Sequence, residues 1–280
     1  MEPPPDGLGF DATLSDGLRN SMRARLSEAS SGRESRVRLN DLKEELDAPP
    51  GFPAAWRAVQ ALEDHDIVRW DHERRVPRAP RIAKLAGSGD ARSWYARSRS
   101  RVATTLLLTA PGIPMLFMGQ EFLEDKPWHD DVVNWSEFLI WWEGLNDRDR
   151  HMRDFQRFVA DLIHLRRLHP SLKGEGVAVP QVHEIDRILV MHRWVVGEGR
   201  DLVIVASFNE NTLDDYPVEF PWAGQWKEIF NSDYYDHFPN PWVSGNHGSV
   251  VANGPPGGVY VHSARIKIPA NTALIFARAG

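Results

Sequence analysis

Gly112-Ile113-Pro114-Met115-Leu116-Phe117-Met118-Gly119-Gln120-Glu121 is the stretch whose reading decides the fold. Residues 113–118 form an apolar run of strand length, bounded by a glycine at each end. Upstream, Tyr95, Val102 and Leu106 align on one face of a helix predicted over residues 94–108, which Pro111-Gly112 ends. Residues 69–93 read as a loop, because Pro77, Pro80, Gly87 and Gly89 forbid a long regular element. Residues 56–62 read as a strand of weak propensity that ends at Glu63-Asp64-His65-Asp66. Further back, Asn40 is expected to cap a short helix carrying Leu42 and Leu46. Ser15 or Asp16 is expected to cap another, with Leu18, Met22 and Leu26 at helical spacing. Gly7-Leu8-Gly9-Phe10-Asp11 reads as a short strand ending on an acid. The pattern is strand, helix, strand, helix, strand, with every strand emptying into a polar loop. It predicts parallel strands joined by helical crossovers.

Downstream, residues 120–146 form a long loop rich in tryptophan and acids, and a loop of that length in a compact domain usually has a function. Asp147 is expected to cap a helix running to residue 168, which His169-Pro170 ends. After Leu172 the texture changes to short, often alternating runs at 177–182, 188–196, 202–208, 216–220, 225–230, 249–252 and 264–277, separated by Gly, Asn or Pro turns. That predicts an all-β sandwich. The expected division is residues 1–172 as an α/β unit and 173–280 as an all-β domain.

Bulk properties narrow the function. The chain has 280 residues, 42% hydrophobic and 26% charged, an ordinary soluble composition. A net charge of -6 gives no general affinity for nucleic acid or an anionic membrane. The absence of cysteine excludes a disulfide or thiolate zinc site and fits a reducing compartment. Met1-Glu2-Pro3-Pro4-Pro5-Asp6 lacks the basic and apolar regions of a signal peptide, so a cytoplasmic location is expected. His72, His129, His164 and His169 share no metal-ligand spacing, and no Walker or Rossmann glycine motif is present, so neither a metal nor a nucleotide cofactor is expected.

Reactive groups in parallel α/β architectures sit where strands end at their C-terminal edge. Asp11, the Glu63–Asp66 cluster and Glu121 fall at such places. Neighbouring carboxylates repel one another and need countercharge. The basic tract over residues 69–101 is placed to supply it. Glycosidic bond chemistry typically uses carboxylates of this kind, one protonating the leaving oxygen and another stabilising the oxocarbenium-like centre. Solvated acids in a loop are the plain alternative for each position.

Two motifs and one segment make the reading specific. His65-Asp66, preceded by Glu63-Asp64, resembles the signature at the end of the seventh barrel strand of glycoside hydrolase family 13, the alpha-amylase family, where Asn-His-Asp is usual. The stretch from Gly112 to Glu121 resembles the eighth-strand signature Gly-x-Pro-x-x-x-x-Gly-x-Glu at all its fixed positions. Gly7-Leu8-Gly9-Phe10-Asp11 is similar to the sixth-strand segment of glycogen and 1,4-alpha-glucan branching enzymes. The resemblance implies an α/β plus all-β architecture: the C-terminal portion of a (β/α)8 TIM barrel, about strands 6–8, followed by an antiparallel β-sandwich.

By the same resemblance, Asp66 is the carboxylate that stabilises the transition state, while His65, with Asp64 in the position of the usual Asn, contacts sugar hydroxyls. The resemblance also makes Glu121 a structural acid near the site, whereas Asp11, on the plain reading of its position, is a strand-end hydrogen-bonding acid. The implied ligand is an alpha-glucan such as glycogen, amylose or a maltooligosaccharide. The implied reaction is retaining glycosyl transfer that forms α-1,6 links in glycogen biosynthesis. A maltooligosyltrehalose trehalohydrolase or another alpha-amylase-type hydrolase is the enzymatic alternative, and a non-catalytic glucan-binding or interaction module is another. A whole barrel needs eight βα units and about 250 residues. The family's nucleophilic Asp and acid/base Glu belong to earlier strands, so the isolated chain is expected not to catalyse transfer, and a chain supplying the missing strands is an expected partner. The Arg97-Ser98-Arg99-Ser100-Arg101 run is expected to be a solvated or carboxylate-pairing helix face.

Overall fold

A computed structural model of the chain describes residues 10–279. The first half runs β1 (Thr13–Ser15), α1 (Gly17–Ser30), α2 (Leu39–Asp47), β2 (Ala58–Ala61), a small hairpin of β3 (Trp70–Asp71) and β4 (Val76–Pro77), α3 (Ile82–Ala86), α4 (Trp94–Thr109), β5 (Ile113–Met115) and α5 (Arg150–Leu168). Strands β1, β2 and β5 form a parallel sheet in that order, with Thr13 opposite Ala58 and Val59 opposite Ile113. Each strand therefore empties toward the same edge. Among the described residues, strands β1 and β5 are the edges of this sheet, and β2 lies between them.

The helices follow their apolar spacing. Leu18, Met22 and Leu26 are fully buried on one face of α1, as predicted. Helix α5 buries Met152, Phe155, Val159 and Leu162. Its cap is Asp149 rather than Asp147: the Asp149 side chain accepts from the backbone N–H of His151 at 2.9 Å and of Met152 at 3.3 Å. Asp147 instead takes a left-handed backbone, φ 65°, and pairs with Arg153. Asn40 is not a cap either. Helix α2 starts one residue before it, and its amide donates to Glu184 at 3.0 Å.

Three other expectations are revised. The segment 7–11 lies mostly outside the described residues, and β1 begins at Thr13, so Asp11 precedes a strand rather than ending one. Within the 69–93 segment, residues 70–77 pair as the β3–β4 hairpin and 82–86 coil into α3. The apolar eighth-strand segment is shorter than its run of residues, and Ile113 is 43% exposed because β5 is an edge strand.

The second half is antiparallel: β6 (Gly176–His183), β7 (Ile188–Trp194), β8 (Leu202–Ser207), β9 (Leu213–Phe220), β10 (Gly224–Asn231), β11 (Ser249–Ala252), β12 (His262–Ile268) and β13 (Ala273–Arg278). The run at 264–277 is two strands, parted by a turn in which Asn271 has φ 43°. Six strands form one sheet in the order β11-β10-β13-β8-β7-β6, and β9 pairs with β12 as a second layer.

Side chains of the large sheet alternate between two cores. Ile188, Val190, Val203, Val205, Leu274 and Phe276 pack toward β9 and β12. Leu189, Met191, Ile204, Ala206 and Ile275 join the core built by the helices. A strand buried on both faces is apolar at nearly every position, which is why 188–191 and 202–206 read as continuous runs. The two halves thus share one hydrophobic core. Among the described residues no helix is long and apolar enough to cross a membrane.

Candidate functional site

The acidic stretch lies just past the C-terminal end of β2 and splits into a buried pair and an exposed pair. Glu63 is 1% exposed. One carboxylate oxygen accepts from the Ile82 N–H at the start of α3, and the other lies 2.8 Å from Arg81 Nε. Arg81 in turn donates to the Met118 carbonyl at 2.8 Å, which ties the end of β2 to the segment after β5. Asp64 is 7% exposed and also faces inward. One oxygen accepts from the Ile67 N–H at 3.0 Å and the other pairs with Arg19 on α1. Arg19 also reaches Asp16, at 3.0 Å, so the ends of β1 and β2 are joined through one guanidinium. Arg23, one turn along α1, donates to the carbonyls of Leu62 and Pro80, and burial lowers its pKa.

With both inner acids anchored, the chain turns through a Val68 N–H to Asp64 carbonyl bond of 3.2 Å. His65 and Asp66 project from this turn with side chains 57% and 72% exposed, His65 Nε2 lying 3.7 Å from Asp66 Oδ2. The expected countercharge is present, but only half of it comes from the basic tract. Arg81 answers Glu63, while Arg19, 45 residues before its partner, answers Asp64. Linear distance along the sequence hid the second partner.

Trp128 forms the wall beside His65. The two rings meet edge to face at 5.6 Å, and the Arg69 guanidinium lies 5.7 Å from the Trp128 ring. The backbone fixes this placement: Trp128 N–H donates to the Val68 carbonyl and Trp70 N–H to the Trp128 carbonyl, each at 2.9 Å. Beyond it, His72 and His129 bring their Nε2 atoms to 2.5 Å, with Trp135 against both rings. The four tryptophans of the loop do not act together, since Trp142 packs on Phe122 instead.

Glu121 sits half-buried on the short turn Gln120–Phe122 after β5. The acid that organises the following loop is Glu124, which sequence reasoning missed. Its side chain is 3% exposed and accepts from the backbone N–H groups of Asp125, Lys126 and Trp141 at 2.7 to 3.0 Å. Gly119, with φ 85°, makes room for it: a Cβ there would lie 2.6 Å from the Glu124 Cβ. Asp11 is exposed and precedes β1, so it is separated from the strand-end edge where His65 and Asp66 project. Among the described residues no group of three or more His, Asp or Glu side chains is placed to hold a metal ion.

Comparison with known proteins bears on the fold and on the chain's relatives. The family described as "Alpha amylase, C-terminal all-beta domain" matches residues 181–279. The 1,4-alpha-glucan branching enzyme of Nitrosospira multiformis is 28% identical over 223 residues, covering 78% of this chain and 28% of that enzyme. That of Pseudomonas fluorescens is 30% identical over 193 residues, covering 65% of this chain and 23% of the enzyme. Residues 181–279 are thus similar to the all-beta C-terminal domain of alpha amylases, and a longer stretch is similar to 1,4-alpha-glucan branching enzymes. It spans roughly a quarter of the length of the curated relatives it matches. Alpha-amylase-family folds are also its solved structural neighbours. The alpha-amylase of Geobacillus thermoleovorans complexed with acarbose aligns with TM-score 0.60 at 18% identity, covering 97% of this chain and 49% of that one. The pullulanase of Anoxybacillus sp. LM18-11 complexed with maltotetraose aligns with TM-score 0.62 at 18% identity, covering 96% and 35%. At that identity the alignment speaks for the fold alone, which is a partial barrel followed by an all-β domain.

Proposed function

We propose that the chain is the C-terminal part of an alpha-glucan-acting enzyme of the 1,4-alpha-glucan branching type, active in cytoplasmic glycogen biosynthesis. The observation that carries the reading is the exposed His65–Asp66 pair at the strand-end edge, held by two buried acids. In this role the Asp66 carboxylate faces the anomeric carbon and stabilises the positive charge that develops there. His65, steadied by Trp128, hydrogen-bonds sugar hydroxyls. Both Asp64 oxygens are engaged by Ile67 and Arg19, so its part in this reading is to shape the turn.

The nucleophile and the acid/base belong, in this reading, to parallel strands that pair with the free edges of β1 and β5. Leu14 and Ile113, 52% and 43% exposed on those strands, are apolar surface that such strands would cover. Transfer to a 6-hydroxyl is favoured over transfer to water by the likeness to branching enzymes.

Product analysis tests the proposal. Amylose treated with the barrel completed by the first five βα units of a branching enzyme should gain α-1,6 branch points, and the 280-residue chain alone should leave it unchanged. Free trehalose or short reducing sugars as the main products would select the hydrolase reading. Turnover by the chain alone would remove the need for added strands.

A further inference from the structure

Behind Glu63 the interior contains a cavity with about 10 Å³ open to a water-sized sphere, the size of one water molecule. Ile82, Ala83, Leu123 and Phe155 supply apolar wall; the polar wall is Glu124, whose oxygens already accept from backbone N–H groups, and four further side chains, Glu63, Ser100, Thr104 and Gln120. These four side chains come from three separate elements, and each is at most 4% exposed. Each also carries an atom with no hydrogen-bond partner among the described residues: Glu63 Oε2, Ser100 Oγ, Thr104 Oγ1 and Gln120 Nε2. The Arg81 Nε that lies 2.8 Å from Glu63 Oε2 is itself without a hydrogen bond, so that contact is electrostatic and leaves the oxygen free to accept.

Buried polar atoms are almost always paired, and an unpaired one costs about 1–3 kcal/mol. Four residues that line one void of molecular size and each carry such an atom supply a ligand set. They comprise an anionic acceptor, an N–H donor and two hydroxyls that can turn either way. We propose that this cavity is a binding site for a single structural water. The water accepts from Gln120 Nε2 and from one hydroxyl, and it donates to Glu63 Oε2 and to the other hydroxyl. All four orphaned atoms are satisfied, and no net charge is added beside the Glu63–Arg81 pair.

The bound water is then a joint between three parts of the fold. Glu63 is the root of the turn that carries His65 and Asp66. Ser100 and Thr104 lie on α4, which reaches the β domain through Arg97 and Arg101. Gln120 begins the turn after β5. Ser100, Thr104 and Gln120 are positioning residues in this account and touch no reacting atom.

The next residue of α4 provides an internal control. Thr105 is 0% exposed and its hydroxyl is also unpartnered, but it does not line the cavity. Replacing a hydroxyl that bonds nothing is neutral or stabilising, whereas removing a water ligand leaves the water and its other partners short of a bond. Thr104→Val should raise the unfolding equilibrium constant about tenfold, and Thr105→Val should leave it unchanged or lower it. Ser100→Ala, a smaller change, is the second test at the site and should act in the direction of Thr104→Val. A high-resolution crystal structure should show ordered density within hydrogen-bonding distance of at least three of the four atoms. A dry cavity, or equal effects of the two threonine substitutions, would overturn the proposal.

Discussion

Arg97 on α4 and Asp236 in the β domain meet head on, Nε to Oδ1 at 2.9 Å, with side chains only 9% and 11% exposed. Arg101 adds a second guanidinium at 3.3 Å from the same oxygen. One carboxylate thus pairs with two buried cations at the junction of the two halves. Breaking a buried pair from one side strands the opposite charge, which typically costs about 3–5 kcal/mol. Asp236→Ala should therefore lower the stability of the chain by about that much in urea unfolding. A loss below about 1 kcal/mol would mean that water reaches the arginines as soon as the acid is gone.

The same carboxylate has a pH signature. Burial raises the Asp236 pKa, but hydrogen bonding and attraction from Arg97 and Arg101 outweigh it, so the folded value lies below the ordinary one. A depressed acid stabilises the fold fully above its unfolded value of about 3.9. That contribution is lost as pH falls through the folded value. Stability of the wild type relative to Asp236→Asn should accordingly shrink as pH falls below about 4. Parallel pH profiles for the two proteins would show that Asp236 is not linked to folding.

Much of this architecture was legible in the residues. Helical spacing marked Leu18, Met22 and Leu26, and the order of strands and helices predicted the parallel sheet that β1, β2 and β5 form. The caps were less legible, because Asp147 and Asp149 are equally good caps on paper and only the backbone chooses Asp149. The partners of the acidic stretch were least legible. Arg19 and Asp64 are 45 residues apart, and nothing local signals that two strand ends bring them together. The arginine run of α4 was half read. Its ability to pair carboxylates was visible, but its burial against Asp236 and Glu210 depends on partners more than a hundred residues downstream.

Adjacent acids of the site should separate cleanly on substitution. Asp66 is 72% exposed on its side chain. Surface changes of this kind usually fall within about 0.5 kcal/mol, so Asp66→Asn should leave stability unchanged. Asp64 is anchored by Arg19 and the Ile67 N–H, and Asp64→Ala should cost about 1–3 kcal/mol. In an assembled enzyme Asp66→Asn should nonetheless lower turnover by about a hundredfold or more. Chemical denaturation and rate measurements on the two variants decide this, and an unstable Asp66→Asn would shift Asp66 from chemistry to folding.

Gly119 allows a compact test of how the loop after β5 is held. Its φ of 85° disfavours any side chain, and a Cβ would press on the Glu124 Cβ at 2.6 Å and its Cγ at 3.0 Å. Glu124 would have to yield, giving up its bonds to the N–H groups of Asp125, Lys126 and Trp141. Gly119→Ala should destabilise the chain by at least about 1–3 kcal/mol. It should also speed amide exchange at Trp141, since that N–H loses its acceptor. Unchanged exchange would show that the loop is held by its aromatic contacts instead.

The open edges of the parallel sheet carry the last prediction. Among the described residues, strands β1 and β5 each have a strand partner on one side only, and Leu14 and Ile113 add exposed apolar surface at 52% and 43%. Such edges template pairing with another chain unless charge or a covering element blocks them. The purified chain should therefore self-associate at tens of micromolar, seen as a rising mass in light scattering. Lysine at both positions, Leu14→Lys with Ile113→Lys, should return it to a monomer, because a charged edge resists pairing. The fold should survive, since neither side chain lies in the buried core. A wild type that stays monomeric throughout that range would mean the edges are already protected by their own twist and shortness, and the expected strand-supplying partner would lose its main physical support.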